Sequence, residues 1–260
     1  MTKHIPQTIL ITGASSGLGA SLARIYSEKG KKLLITGRNA KRLAEVSAHC
    51  QAKGALVESY ANCDINDYEK LSEWILSMDA KHKVDLVIAN AGISAGTAGG
   101  NESYDQIMKV MHTNIDGVIN TIYPLIKPMQ ERKKGQIAIM GSLAGYRGLP
   151  SSPTYSASKA AVRIFGEGLR GQLKNDNIGV SLITPGYIKS PMTDVNDFPM
   201  PFIVETDKAA KSIKKRLQRN PARIAFPWQL YSVVWFLSCL SPSWTDGLFA
   251  RLPGKKSLAE

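Results

Sequence analysis

Residues 8–12, TILIT, form a short apolar, β-branched run followed at once by a glycine-rich turn, the pattern of a buried strand. A helix is expected over residues 17–30, then KKLLITG as a second strand, a helix rich in Ala, Leu and Lys from Lys41 onward, and ALVESYANC as a third strand. The alternation continues with a helix over 68–78, the strand VDLVIAN, a helix over 104–129, the strand GQIAIMGS, a helix over 154–173 and the strand GVSLITP. Apolar strands without polar alternation, each followed by a helix, imply a parallel sheet covered on both faces. The expected fold class is therefore α/β, a doubly wound parallel sheet, whose ligands bind beyond the carboxyl ends of the strands.

After Pro185 the pattern degrades into Pro, Met, Asp and Phe, then a basic stretch, then an apolar, Trp-rich tail. The chain reads as one domain: a core over 8–186, a substrate-loop segment over 187–225 and an apolar C-terminal extension over 226–260. Its 260 residues, 43% of them hydrophobic, supply the core of one large α/β domain. Cys50, Cys63 and Cys239 fit neither a disulfide framework nor paired zinc ligands, so reduced thiols and no metal site are expected. The first seven residues lack the apolar stretch of a secretory signal, which makes a cytoplasmic location the default. The strongest apolar run, 230–240, is about half the roughly 20 residues a membrane-spanning helix needs. A net charge of +12 favours anionic partners, but the basic clusters at 29–32, 127–134 and 208–219 read as solvated helix faces. With no zinc-finger spacing or RNA-binding aromatic motif, nucleic acid is not an expected partner.

The chemistry begins directly after the first strand, at Gly13-Ala14-Ser15-Ser16-Gly17-Leu18-Gly19. Glycines there permit positive φ and close approach of backbone amides to a pyrophosphate, which the start of the following helix also attracts. At the end of the second strand, where many NAD-binding folds carry an acid for the ribose hydroxyls, the sequence has Thr36-Gly37-Arg38. A guanidinium there pairs with a ribose 2′-phosphate and argues for NADP(H), with NAD(H) second. Tyr155 and Lys159, four apart, share one helix face, and a nearby ammonium is expected to lower the phenol's pKa toward neutrality. Tyr123 and Lys127 have the same spacing, but prolines crowd them. Ser142, thirteen residues before Tyr155 and directly after a strand, could hold the same substrate oxygen or simply cap a turn.

With these residues the chain resembles the short-chain dehydrogenase/reductase (SDR) family over residues 8–186. The segments in order are TGASSGLG, Asp64 after the third strand, Asn90-Ala91-Gly92 after the fourth, Asn114, Ser142, YSASK, and Pro185-Gly186. The resemblance implies a Rossmann fold and a tetrad of Asn114, Ser142, Tyr155 and Lys159. In it Tyr155 would be the acid/base, Ser142 would polarise the carbonyl, Lys159 would hold the nicotinamide ribose, and Asn114 would anchor a relay water. Asp64 would contact adenine, and Asn90 would line the cofactor cleft. It further implies an NADP(H)-dependent oxidoreductase acting on a small-molecule carbonyl or alcohol. A sugar or polyol dehydrogenase is the alternative, and a non-catalytic dinucleotide sensor would need a broken tetrad.

Met192, Phe198, Met200 and Phe202 suit an apolar or lipid-like substrate, or else are packing residues. In the tail, Trp228, Trp235 and Trp244 with Arg251, Lys255 and Lys256 fit either a helix lying on the inner face of a membrane or a subunit interface. A homo-oligomer, dimer or tetramer, is the preferred reading.

Overall fold

A computed structural model describes residues 4–251 and 255–257 of the chain. Its centre is a seven-stranded sheet, every neighbouring pair parallel, in the order β3-β2-β1-β4-β5-β6-β7. The strands are β1 (Thr8–Ile11), β2 (Lys32–Gly37), β3 (Leu56–Ala61), β4 (Leu86–Ala89), β5 (Gly135–Met140), β6 (Ile178–Pro185) and β7 (Arg223–Phe226). Strands β1, β4, β5 and β6 are buried along their whole length, which explains why their sequences lack polar alternation. On the edge, no residue of β3 is fully buried.

Successive side chains of each strand point to opposite faces, so the core divides in two. Ile9 and Ile11 lie with α1 (Gly17–Tyr26), α2 (Ala40–Ala52) and α8 (Thr206–Leu217). Leu10 faces the other way, with α3 (Tyr68–His82), α5 (Gly117–Arg132) and α6 (Pro153–Gln172). The helix α4 (Tyr104–Met111) precedes α5, and α7 (Pro191–Asp194), α9 (Trp228–Ser238) and α10 (Pro242–Phe249) complete the set used below.

Several elements depart from the sequence expectation. α1 ends at Tyr26 rather than 30, because the Ser27 hydroxyl and amide both bond the Arg24 carbonyl and Gly30, at φ +84°, turns the chain into β2. α3 runs on to His82. The single helix expected over 104–129 is broken by a π-turn at His112–Asp116, which separates α4 from α5.

The largest difference lies past Gly186, where the sequence reading stops the core. β7 pairs with β6 in register Leu182↔Arg223 to Pro185↔Phe226, and the sheet ends there. α8, read from its charges as a solvated face, buries Ala209, Ala210, Ile213 and Leu217 against α1 while exposing Lys208, Lys211, Lys215 and Arg216. Lys214 reaches across to the Ile25 carbonyl at 2.9 Å and sits 5.2 Å over the Tyr26 ring. A four-residue strand and a narrow apolar stripe inside a basic helix are weak signals against that charge density. Between β6 and α8 the chain leaves the sheet, and a bridge between Ile188 and Val204 pinches this excursion at its base. The amides of Lys189 and Val204 bond across it at 3.0 Å each.

If α8 belongs to the core, Ile213→Ala should lower unfolding stability by about 2–4 kcal/mol in urea titration. A helix merely resting on the surface would lose less than about 0.5 kcal/mol.

Candidate active site

The strand order reverses between β1 and β4, and the crevice beyond their carboxyl ends is where ligands bind in such sheets. Gly13, at φ +69°, lies so close to β4 that a Cβ there would stand 2.8 Å from Ala91 Cα. On Gly19 a Cβ would be 2.3 Å from the Gly13 carbonyl oxygen, and on Gly37, 2.8 Å from Ser15 Cβ. Glycine at these points is a packing requirement. The Asn90 side chain stitches the turn in place, its Nδ2 donating to the Thr12 and Gly13 carbonyls at 3.0 and 3.4 Å. In return Thr12 Oγ1 accepts from the amides of Asn90 and Ala91. Ser16 stands at the N-cap of α1 without using its side chain as a cap, and no acidic residue occupies the first turn. The first amides of α1 therefore keep their capacity to bind an anion.

Around this crevice opens a cleft of about 1220 Å³, above the roughly 300–1,000 Å³ of a site for one drug-sized ligand. Gly13, Ser15, Ser16, Gly17, Leu18, Gly19, Arg38, Asp64, Asn90, Ala91, Gly92, Ser142, Tyr155, Lys159, Pro185 and Gly186 all line it; Asn114 does not. Arg38 is exposed at one end, and Arg42, which the sequence reading missed, lines the cleft with it. Asn39 caps α2 by accepting from the Arg42 amide at 2.9 Å, which starts the helix so that both guanidiniums flank one corner. The signal was available in Arg38-Asn39-x-x-Arg42, a cap followed by a first-turn cation.

At the other end, β5 delivers Ser142 and α6 delivers Tyr155 and Lys159. Ser142 caps a turn, its hydroxyl accepting from the Ala144 amide at 3.1 Å, and it lines the cleft with Tyr155. Ser94, not anticipated, also lines the cleft, close enough to Tyr155 to pull on its phenol. Lys159 is buried, with Nζ donating to the Met140 carbonyl at 3.0 Å and lying 5.9 Å from the Tyr155 ring centroid. Burial pulls its ammonium down to about 8.

The expectation that Lys159 lowers the Tyr155 pKa is corrected here. Burial pushes the phenol above its ordinary value, against the opposing pull of the Ser142 and Ser94 hydroxyls. The physical reason is that Lys159 Nζ points to the Met140 carbonyl instead of the phenolic oxygen, so dehydration dominates.

Asn114, in the π-turn, is fully buried behind the cleft wall. Its Oδ1 accepts from the Ile93 amide at 2.8 Å, and its Nδ2 donates to the Ile93 carbonyl at 2.9 Å and to Ser158 Oγ at 3.0 Å. Its side chain thus fixes the loop after β4 beside Gly92, where a Cβ would meet Asn114 Oδ1 at 3.0 Å and Lys159 Nζ at 3.4 Å.

The remaining wall is apolar. Met192 and Phe198 line it, but Met200 and Phe202 do not: Phe202 is exposed, and Met200 Sδ accepts from Asn196 Nδ2. One face of α9, Leu230, Val233, Val234 and Leu237, completes the wall at i, i+3, i+4, i+7 spacing, together with Leu248 and Phe249 of α10. Trp228, Trp235, Phe236 and Trp244 stay exposed. Arg147 pins α10 to the site, donating to Thr245 Oγ1 and Asp246 Oδ1 at 3.0 and 3.1 Å and stacking 4.9 Å from the Phe249 centroid. Among the described residues no helix is long and apolar enough to cross a membrane, and no cluster of side chains could hold a metal ion.

Residues 7–198 match the family described as short chain dehydrogenase. An oxidoreductase of Myxococcus xanthus is 38% identical over 231 residues, covering 88% of this chain and 91% of the relative. An oxidoreductase of Mycobacterium tuberculosis is 33% identical over 244 residues, covering 91% and 96%. Among solved structures, a short-chain dehydrogenase from Sphingobium yanoikuyae in complex with NADPH superposes with a TM-score of 0.79 at 22% identity, over 95% of this chain and 96% of its own. A bulky-bulky ketone specific alcohol dehydrogenase from Comamonas testosteroni gives 0.78 at 21%, over 96% and 95%.

Lys159 yields a test of the site's electrostatics. Its folded pKa of about 8 lies below the ordinary 10.5, so the folded state holds fewer protons than the unfolded one between those values. Stability then rises with pH across that window, and the desolvation penalty is present in full at neutral pH. Lys159→Met removes the penalty at the loss of one hydrogen bond to Met140. The variant should be more stable than the parent by about 1–2 kcal/mol near pH 7, with the gap closing toward about pH 10. A destabilised variant at neutral pH would contradict the assigned burial cost.

Proposed function

The chain belongs to the short chain dehydrogenase family, and from that premise we propose that it is an NADP(H)-dependent oxidoreductase acting on a ketone or secondary alcohol with an apolar body. The observation that carries this reading is the Ser142–Tyr155 hydroxyl pair above buried Lys159, in the same cleft as the uncapped start of α1. The residues fit a dinucleotide. Gly13 and Gly19 let the turn pack tightly at the mouth of the cleft, α1 offers amides to a pyrophosphate, and Asp64 lines the cleft where the resemblance assigns adenine. Solved neighbours bind NADPH in one case and NAD in another, so the preference for NADP(H) rests on Arg38 and Arg42. Together they offer two guanidiniums to a 2′-phosphate.

When bound, the nicotinamide supplies or takes up the hydride. The chain's residues handle the oxygen and the proton. Ser142 holds the substrate oxygen by a hydrogen bond, and Tyr155 donates its phenolic proton to that oxygen in reduction and accepts it in oxidation. A phenol kept protonated by burial is suited to the donor role. Lys159, on the same helix face, is assigned by the resemblance to the nicotinamide ribose. Asn114 acts as a positioning residue through Ile93. Leu143, Met192, Phe198, Val234 and Phe249 exclude water from the reacting oxygen and favour an apolar substrate over a sugar or polyol. The exposed Trp228, Trp235, Phe236 and Trp244 support assembly into a homo-oligomer, with a membrane surface as the alternative cover.

Tyr155→Phe should abolish ketone-dependent NADPH oxidation, to below about 10⁻² of the parent rate, while NADPH binding followed by protein fluorescence stays near the parent value. Turnover at the parent rate would remove Tyr155 from the mechanism. In the same titration, Arg38→Ala should weaken NADPH about 10–100-fold and NADH little. Equal losses would take Arg38 out of the 2′-phosphate site.

A further inference from the structure

The C-terminal segment brings a cation into the substrate end of the cleft. The backbone carbonyls of Lys255 and Lys256 accept from the amides of Ala98 and Gly96, each at 2.8 Å. A Cβ on Gly96 would stand 2.4 Å from Lys255 Cβ, so the tail lies directly on the loop that follows β4. From there the Lys255 side chain turns into the cleft, where its Nζ donates to Ser94 Oγ and sits 4.9 Å from the Tyr155 ring centroid. Ser94 and Tyr155 therefore both border this ammonium, which stands beside the phenol that serves the substrate oxygen.

Among the described residues this cation has no counter-charge. Among the described residues Lys255 forms no ion pair, whereas its neighbour Lys256, more exposed, pairs with Asp197 at 3.3 Å. Burial draws the Lys255 ammonium down to about 8, with no carboxylate holding it up. A buried ammonium carries a desolvation cost that a paired carboxylate offsets, and one neutral hydroxyl leaves two of its three donors unused. The cleft it enters is lined by Leu143, Met192, Phe198 and Phe249 with Arg147, Ser151 and Asn196, and its one acidic lining residue among the described residues is Asp64 at the cofactor end, so the missing partner comes with the ligand.

We infer that Lys255 is the anion-recognition residue of the substrate pocket, and that the preferred substrate is an oxo acid, or its hydroxy acid, with an apolar tail. The carboxylate lies one or two carbons from the reacting carbonyl. That spacing follows from the place of Lys255 Nζ, 4.9 Å from the Tyr155 ring centroid: a 2-oxo or 3-oxo acid places a carboxylate oxygen at the ammonium while its ketone oxygen meets Tyr155 and Ser142. The inference rests on the oxidoreductase reading for what happens at the ketone, but the recognition of the anion is a separate event.

The test compares phenylglyoxylate and a medium-chain 3-oxo acid with their methyl esters. Binding to the NADPH-loaded protein and NADPH oxidation are both measured, for the parent, Lys255→Met and Lys255→Arg. For the better-fitting chain length, the acid should bind the parent about 10–100-fold more tightly than the ester, the range of a charge-assisted hydrogen bond. Lys255→Met should bring that ratio to about 1, and Lys255→Arg should keep most of it. Where turnover occurs, the loss in Lys255→Met should appear mainly in KM.

Equal binding of acid and ester by the parent would overturn the inference, as would a ratio unchanged in Lys255→Met. So would a Lys255→Met variant faster than the parent on both compounds, which would make the tail an inhibitory plug. Loss of NADPH affinity in that variant would assign the cation to the cofactor instead. Ester turnover without preference for the acid would sink this inference and leave the oxidoreductase reading standing. Acid-selective binding without turnover of any ketone would do the reverse. If Lys255→Met fails to fold, the selectivity of the parent and of Lys255→Arg still decides.

Discussion

Everything in the site hangs on how tightly the end of β1 is tied to the end of β4. Asn90 spends its side-chain amide on the Thr12 and Gly13 carbonyls, Thr12 spends its hydroxyl on the amides that follow β4, and Gly13 fits against Ala91 because it has no Cβ. This knot closes the gap at the point where the strand order reverses, so that the turn rises over the sheet edge instead of falling into it. The start of α1 is thereby presented with its amides uncommitted, and the loop after β4 is led past Gly92 and Ile93 to the buried Asn114. From Asn114 the constraint passes to Ser158 and so to α6, the helix that carries Tyr155 and Lys159. The cofactor end and the chemical end of the cleft are connected through the side-chain hydrogen bonds of Asn90 and Asn114 and the short stretch of backbone between Ala91 and Ile93.

Two chargeable groups on α6 are held in unfavourable surroundings at the chemical end. Lys159 is a buried ammonium and Tyr155 a phenol whose ionisation is resisted by burial. Each environment opposes the ionised form. Such an arrangement keeps the phenol protonated until a substrate oxygen can take the proton.

Much of this was legible from the chain. Fully buried strands such as 8–11 and 135–140 announce themselves by unbroken apolar runs, and the glycine turn, Ser142, Tyr155 and Lys159 carry their chemistry in spacings short enough to read. What escaped detection depended on long-range contact. Ser94 is an unremarked serine until α6 places Tyr155 beside it, and Lys255 lies 161 residues further on. α8 hides a core stripe under lysines, and β7 is too short to stand out until β6 offers it a ladder. The Tyr155 shift was misjudged because spacing along a helix gives the face of a side chain but not the atom its neighbour prefers, which here is the Met140 carbonyl.

The pinch between Ile188 and Val204 sets a rule for how this protein can change over evolutionary time. The segment it closes off, including Met192 and Phe198, touches the ligand but contributes no strand to the sheet, and its ends are already held together by paired backbone amides. Lengthening a loop whose ends are fixed costs only about 0.6 kcal/mol per doubling. Insertions, deletions and exchanges within 189–203 can therefore accumulate with little loss of folding stability, while the glycine turn and α6 tolerate almost none. Selectivity is free to drift here, and the reaction is not.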